Sequence, residues 1–131
     1  MKKFLITGSN GLLGQKLVEK LLHKNYKVIA TSRGSCRWAI QHPNYSYEEL
    51  DITNFDNVKN VFEKHLPDVI INTAAMTNVD ACELHPYDCF MQNTKSVEWM
   101  VSVLENLQNN PYTPHFIHLS TDFIFDGTKK M

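Results

Sequence analysis

Phe4-Leu5-Ile6-Thr7-Gly8-Ser9-Asn10-Gly11-Leu12-Leu13-Gly14 is the stretch on which the fold turns. A short apolar run meets a Gly-x-x-Gly-x-x-Gly turn, and behind it Leu12, Leu13, Leu17, Val18, Leu21 and Leu22 recur at helical spacing. The order this predicts is strand, tight turn, helix. Glycine at such a turn tolerates positive φ and close backbone approach, and a helix N-terminus offers unpaired amides and a partial positive charge to a phosphate. Gly8, Asn10, Gly11, Leu12, Leu13 and Gly14 are therefore candidates for holding a pyrophosphate, with Gly14 letting helix and strand pack closely. The plainer alternative is that three glycines only make a tight turn, and the strand-turn-helix context weighs against it.

Beyond the turn the pattern continues. Val28-Ile29-Ala30-Thr31 reads as a second strand, and Tyr47 to Leu50 as a third, weaker one. Residues 34 to 46, with Gly34 and Pro43, read as a loop. Thr53 or Asn54 can cap a helix that shares Val58, Val61, Phe62 and His65 on one face, and Pro67 marks its end. Asp68-Val69-Ile70-Ile71-Asn72 is apolar on both faces, as a strand covered by helices on both sides requires. A long helix from about Pro86 to Leu107 carries Val97, Met100, Val101 and Leu104, and His115 to Leu119 is the next strand. Strands alternating with helices predict an α/β fold, a Rossmann-like doubly wound parallel sheet forming one domain over residues 1–131 and truncated after the fifth strand.

Composition narrows the function. Thirteen Lys and Arg against fourteen Asp and Glu give a net charge of -1, which argues against nucleic acid as the main partner. No run approaches the length of a membrane span, and Gly8 interrupts the N-terminal apolar run too early for a signal peptide, so no membrane partner is expected. Cys36, Cys82 and Cys89 are odd in number and lack a Cys-x-x-Cys pair, which points away from a disulfide scaffold or zinc ribbon and toward a cytoplasmic location.

The polar residues that interrupt this apolar pattern fall at the carboxyl ends of successive strands, where an open α/β sheet binds its ligands. A carboxylate at the end of the second strand would take a ribose 2′-hydroxyl. The chain instead has Thr31-Ser32-Arg33, so Ser32 and Arg33 favour a 2′-phosphate and NADPH, with NADH as the other cofactor open to this site. Asp51-Ile52 follows the third strand, Asn72-Thr73-Ala74-Ala75 the fourth, and Ser120-Thr121-Asp122 the fifth.

With these residues assembled, the chain resembles the extended short-chain dehydrogenase/reductase superfamily, and within it the dTDP-4-dehydrorhamnose reductase family. Gly8 to Gly14, Asp51-Ile52-Thr53, Asn72-Thr73-Ala74-Ala75 and Ser120-Thr121-Asp122-Phe123-Ile124-Phe125-Asp126-Gly127 match its pattern, as do Val79-Asp80, Glu83 and Asn93. The resemblance implies that Asp51 and Ile52 flank the adenine, that Ala74 and Ala75 lie beside the pyrophosphate and ribose, that Asn72, Thr73, Asn93 and Ser120 belong to the cofactor site, and that Thr121 is the catalytic hydroxyl. It implies NADPH-dependent reduction of a dTDP-linked 4-keto sugar in dTDP-L-rhamnose synthesis for surface polysaccharide. In this superfamily a tyrosine donates the proton to the carbonyl and a lysine lowers that tyrosine's pKa. Tyr26, Tyr45, Tyr47, Tyr87 and Tyr112 all lack a lysine four residues on. The chain is thus expected to be the cofactor-binding N-terminal part of a longer reductase, inactive alone.

Two other functions remain open. A regulatory module resembling the β-subunit of methionine adenosyltransferase would use the same fold without turnover, and a sugar-nucleotide epimerase or dehydratase usually shows Ser-Ser in place of Ser-Thr-Asp. A fifth strand lacking further neighbours predicts exposed apolar surface and self-association into a homo-oligomer. His115 and His118, three apart on a strand, point to opposite faces and cannot share a metal, so no metal site is assigned. Cys82 and Cys89 read as packing residues, and Asp80 and Glu83 as acids suited to a helix start.

Overall fold

The computed structural model describes residues 2–35, 41–73, 83–84, 86–87, 91–108 and 112–118. Five strands, β1 (Lys3–Thr7), β2 (Lys27–Ser32), β3 (Tyr45–Glu49), β4 (Val69–Asn72) and β5 (His115–His118), form one parallel sheet in the order β3-β2-β1-β4-β5. Helices α1 (Leu12–His23), α2 (Phe55–His65) and α3 (Ser96–Leu107) supply the layers on its faces. The order of strands reverses beside β1, and that places a crevice outside the carboxyl ends of β1 and β4.

Strand alternation sorts the core into two layers. Leu5, Ile29 and Ile70 point to one face, where Val58, Val61 and Phe62 of α2 and Met100, Val103 and Leu104 of α3 cover them. Their chain neighbours Ile6, Val28, Ala30, Val69 and Ile71 point to the other face, against Val18 and Leu22 of α1. β1 and β4 are therefore apolar on consecutive residues because both faces are buried, each such side chain contributing roughly 1.5–3 kcal/mol.

Local signals explain the element ends. Asn54 caps α2, its Oδ1 accepting from the Asn57 amide at 3.0 Å, and Leu66 leaves the helix in the left-handed region at φ 44°. Tyr112 donates its hydroxyl to the Pro67 carbonyl at 2.7 Å and the His115 amide donates to the Asp68 carbonyl at 2.9 Å, which lays β5 along β4. Burial, assisted by Asp68, pushes the Tyr112 phenol up to about 12.

Three elements differ from expectation. β3 starts at Tyr45, since Tyr45 and Ser46 pair with Val28 and Ile29, and Leu50 leaves the strand to enter the core. The long helix is not one α-helix from Pro86. A π-helical turn, Met91–Lys95, precedes α3, and Asn93-Thr94 are weak α-helix formers at the place where the ladder shifts. Leu12 and Leu13 share the helical spacing of α1 but are exposed, because the first turn of α1 overhangs the end of the sheet. Among the described residues, no helix is long and apolar enough to cross a membrane.

Two predictions concern these contacts. A Cβ on Gly14 would lie 2.4 Å from the Gly8 carbonyl oxygen and 2.8 Å from Ser9 Cα, both backbone, whereas one on Gly11 would have its nearest neighbour, the same oxygen, at 3.4 Å. Gly14→Ala should cost about 2 kcal/mol despite alanine's better helix propensity, and Gly11→Ala should cost clearly less, as read from urea midpoints. Glu48 on β3 accepts from His65 Nε2 at 2.6 Å and from Lys64 at 3.3 Å. The His65 bond, together with Lys64, holds the Glu48 carboxyl below its ordinary value of 4.5 despite partial burial. A depressed folded-state pKa stabilises the fold above the unfolded value and is lost as pH falls through the folded one. The wild-type advantage over Glu48→Gln should therefore be under about 1 kcal/mol at neutral pH and be lost as pH falls from 4.5 through the lowered folded-state value, in acid titrations followed by circular dichroism.

Candidate functional site

The glycine turn sits where β1 meets α1 at the mouth of the crevice. Gly8 has φ 72°, a region that favours glycine, and the Gly11 amide closes the turn on the Gly8 carbonyl at 3.0 Å. The Ser9 amide donates to the Thr31 carbonyl at 2.9 Å, tying the turn to β2. Gly11 is the N-cap of α1. It has no side chain to cap the helix, and the first turn holds no acid to neutralise it. The amides of Leu12, Leu13 and Gly14 thus open the helix without a carbonyl four residues back, where the helix dipole is positive. The contact of Gly14 with Gly8 and Ser9 brings those amides close to the end of β1. A pyrophosphate fits this donor set: backbone N–H groups, a positive helix end, and no Cβ filling the cradle.

A second group lies at the ends of β2 and β3. Arg33 donates to Asp51 Oδ1 at 3.1 Å across an exposed surface, and the same carboxylate oxygen accepts from the Thr53 amide at 2.9 Å and the Thr53 hydroxyl at 2.6 Å. Partial burial pushes the Asp51 carboxyl up, but the Thr53 bonds and the Arg33 guanidinium outweigh it, and the carboxyl titrates below its ordinary range. Arg33, expected as a free phosphate ligand, is thus prepaired with a carboxylate. That bond uses one of five guanidinium donors. The Ser32 carbonyl accepts from the Leu50 amide at 2.9 Å and, with the Gly34 carbonyl, from the Tyr47 hydroxyl.

The third group lies between β1, β4 and β5, with Thr7 and Asn72 fully buried and Thr73 and His118 partly so. Thr7, Asn72 and His118 are register neighbours on consecutive strands. The Thr7 hydroxyl donates to Asn72 Oδ1, the Thr73 amide donates to Thr7 Oγ1 at 3.1 Å, and the Thr73 hydroxyl donates to the Thr7 carbonyl at 2.6 Å. Asn72 Nδ2 meets His118 Nδ1 at 3.0 Å.

The expected site residues therefore separate by role. Gly8, Gly11, Leu12, Leu13, Gly14, Ser32, Arg33 and Asp51 line the carboxyl edge of the sheet. Asn10 sits in the same turn but is largely buried, donating to the Ser35 carbonyl at 3.1 Å. Ile52 is packed in the core below Asp51, which leaves mainly its backbone for a ligand. Asn72 and Thr73 brace the sheet, Asn72 being fully buried. Asn93 lies on the π-helical turn. Ala74, Ala75, Ser120 and Thr121 lie outside the described residues, as do Cys36, Cys82, Cys89 and Asp80. Sequence reasoning missed Thr7, Thr31, Tyr47 and His118. Thr31 donates to the Ile6 carbonyl at 2.8 Å. A hydroxyl closing an apolar strand, as in Ile6-Thr7 and Ala30-Thr31, was the available signal.

Comparison with known proteins follows the same lines. The family model described as the RmlD substrate binding domain matches residues 1–131. The dTDP-4-dehydrorhamnose reductase of Aggregatibacter actinomycetemcomitans is 34% identical over 130 residues, covering 98% of this chain and 38% of the relative. A crystal structure described as a hypothetical dTDP-4-dehydrorhamnose reductase from Sulfolobus tokodaii matches with a TM-score of 0.75 at 36% identity, over 98% of this chain and 42% of that one. The Bordetella bronchiseptica enzyme WbmH, solved in complex with NAD+, matches with a TM-score of 0.68 at 26% identity, over 81% of this chain and 36% of that one. The chain spans well under half the length of these relatives. With its glycine turn, parallel sheet order and whole-length match, the chain belongs to the RmlD substrate-binding-domain family, among proteins with the extended short-chain dehydrogenase/reductase fold.

Proposed function

We propose that this chain is the cofactor-binding part of an NADPH-dependent reductase acting on a dTDP-linked 4-keto deoxysugar, the reaction that turns dTDP-4-dehydrorhamnose into dTDP-L-rhamnose. The observation that carries the reading is the uncapped α1 N-terminus held against β1 by Gly14, in a chain whose relatives include named dTDP-4-dehydrorhamnose reductases. The amides of Leu12, Leu13 and Gly14 hold the pyrophosphate. Arg33 and Ser32 hold the adenosine 2′-phosphate, and Asp51 and the Ile52 backbone border the adenine. The neighbour solved with NAD+ supports a nicotinamide dinucleotide at this edge.

A reduced nicotinamide bound at this edge would supply hydride to the keto carbon. The residues of this chain orient and polarise: the Thr121 hydroxyl donates a hydrogen bond to the keto oxygen as negative charge grows there. No tyrosine here has a lysine four residues on, so the group that protonates that oxygen belongs to a part of the reductase outside these 131 residues. This chain alone is then inactive, and the sugar nucleotide binds only in the longer protein. The braced end of β4 keeps the crevice floor rigid while ligands exchange above it. The protein works in the cytoplasm, where sugar nucleotides and NADPH meet.

Two measurements test this reading. NADPH and NADH titrations followed by nicotinamide fluorescence should show tighter NADPH binding, and Arg33→Ala should weaken NADPH about tenfold or more while moving NADH less than about twofold, since a charged hydrogen bond contributes roughly 1.5–3 kcal/mol. Equal effects on the two cofactors would remove the 2′-phosphate role. In the longer reductase, Thr121→Ala should lower kcat for the 4-keto sugar nucleotide by about a hundredfold with cofactor affinity retained, as expected when a hydrogen bond to the developing oxyanion is lost. Unchanged kcat would exclude Thr121 from the chemistry.

A further inference from the structure

The Thr73-Thr7-Asn72-His118 chain has a definite direction. Thr7 Oγ1 accepts from the Thr73 amide, which can only donate, and the single Thr7 hydroxyl proton is directed to Asn72 Oδ1. With Oδ1 accepting that proton, the oxygen of the Asn72 amide faces β1. Its NH2 group therefore faces β5, where it meets His118 Nδ1 at 3.0 Å. An NH2 group donates and cannot accept, so His118 Nδ1 must carry a lone pair and the ring proton must sit on Nε2. Protonating Nδ1 would set two donors against each other.

We infer that His118 is a positioning residue, a neutral Nδ1 acceptor that ties the carboxyl end of β5 to β4 and β1, and that protonation of its ring releases the tie. The inference stands on hydrogen-bond geometry and does not depend on the proposed reaction. It has structural consequence because, among the described strands, β5 is held by β4 alone, and His118 is the last of its described residues. Register places His118 opposite Asn72, and Asn72 opposite Thr7, so the side-chain bonds extend the row of backbone bonds to the mouth of the crevice. Asn72 is fully buried, which makes an unmatched amide there costly.

Among the described residues, the other ionisable groups leave the control with His118. β4 contributes none, and His115 is on the opposite face of β5. On the two helices covering His118's face, Asp56, Lys59, Glu63, Lys64, Glu98 and Glu105 are exposed, while His65 is bonded to Glu48 and Lys95 to Glu98. On β1 the charged residue is Lys3, at the opposite end from Thr7, with its Nζ on the His65 carbonyl. Asp68, before β4, accepts from the Lys3 amide at that same far end.

Ring nitrogen NMR of the 15N-labelled chain at neutral pH tests the inference directly. His118 should show Nδ1 bare and Nε2 protonated, and Asn72→Asp, whose carboxylate can only accept, should move the proton to Nδ1. A wild-type ring protonated at Nδ1 would overturn the assignment without any variant. Amide hydrogen exchange in the β4–β5 ladder, corrected for intrinsic rates, should quicken about fivefold as the His118 ring is protonated, as loss of one hydrogen bond from a buried amide implies. His118→Gln supplies a non-titrating acceptor through Oε1 and should abolish that dependence. The same acceleration in His118→Gln, or none in the wild type, would show that His118 protonation does not control the end of β5.

Discussion

The approach of α1 to the end of β1 at Gly14 is the constraint on which the rest of the molecule depends. Gly14 must come within van der Waals reach of the Gly8 and Ser9 backbone, and any side chain there would occupy the space of backbone atoms. That contact sets the tilt of α1, and the tilt brings Val18 and Leu22 down onto Ile6, Val28 and Ala30. One approach thus seals a face of the sheet and aims the free end of the helix at the crevice. The positive φ of Gly8 turns the chain sharply enough for both.

β1 is the reference for everything else. It is the central strand, paired on both sides, and it hands alternate residues to the two core layers. Its last side chain, Thr7, meets Asn72 and Thr73 of the neighbouring segment, and the Thr31 hydroxyl of β2 closes on the Ile6 carbonyl. The apolar core therefore ends in a layer of hydroxyl and amide groups that satisfy one another. Among the described residues, no buried side-chain nitrogen or oxygen lacks a partner.

Much of this was legible in the sequence. Apolar runs that bury both faces, as in Val69-Ile70-Ile71, identify strands in a covered parallel sheet, and the glycine spacing located the helix start. Thr53 and Asn54 were both legible as caps, and the structure gives the role to Asn54. What escaped were features set by tertiary pairing. The spacing of Leu12 and Leu13 is that of a buried helical face, yet their burial depends on how far α1 overhangs the sheet. Tyr45 and Ser46 join β3 because Val28 and Ile29 are there to pair with them. Arg33 and Asp51 were each legible as site residues, but their ion pair is a property of two strand ends brought together. Likewise Asn72 read as a ligand contact, and only the register shows that its side chain reaches Thr7 and His118.

That last point bears on how such a crevice can be both polar and rigid. Strand ends leave backbone groups without ladder partners, and a ligand site needs some of them free. If every polar side chain nearby turned to the ligand, the strands would be held at this edge only by their ladders, which thin out where strands stop. Here the labour is divided. The buried residues Thr7, Thr31 and Asn72 turn inward and lock adjacent strands together, while Leu12, Leu13, Arg33 and Asp51 remain at the surface. The inner set needs no charge, so it can be buried at low cost once each donor finds its acceptor. The outer set includes the charges, which stay where water screens them. Among the described residues, the one member of the inner row able to change its charge is His118, on a strand held by β4 alone among the described strands.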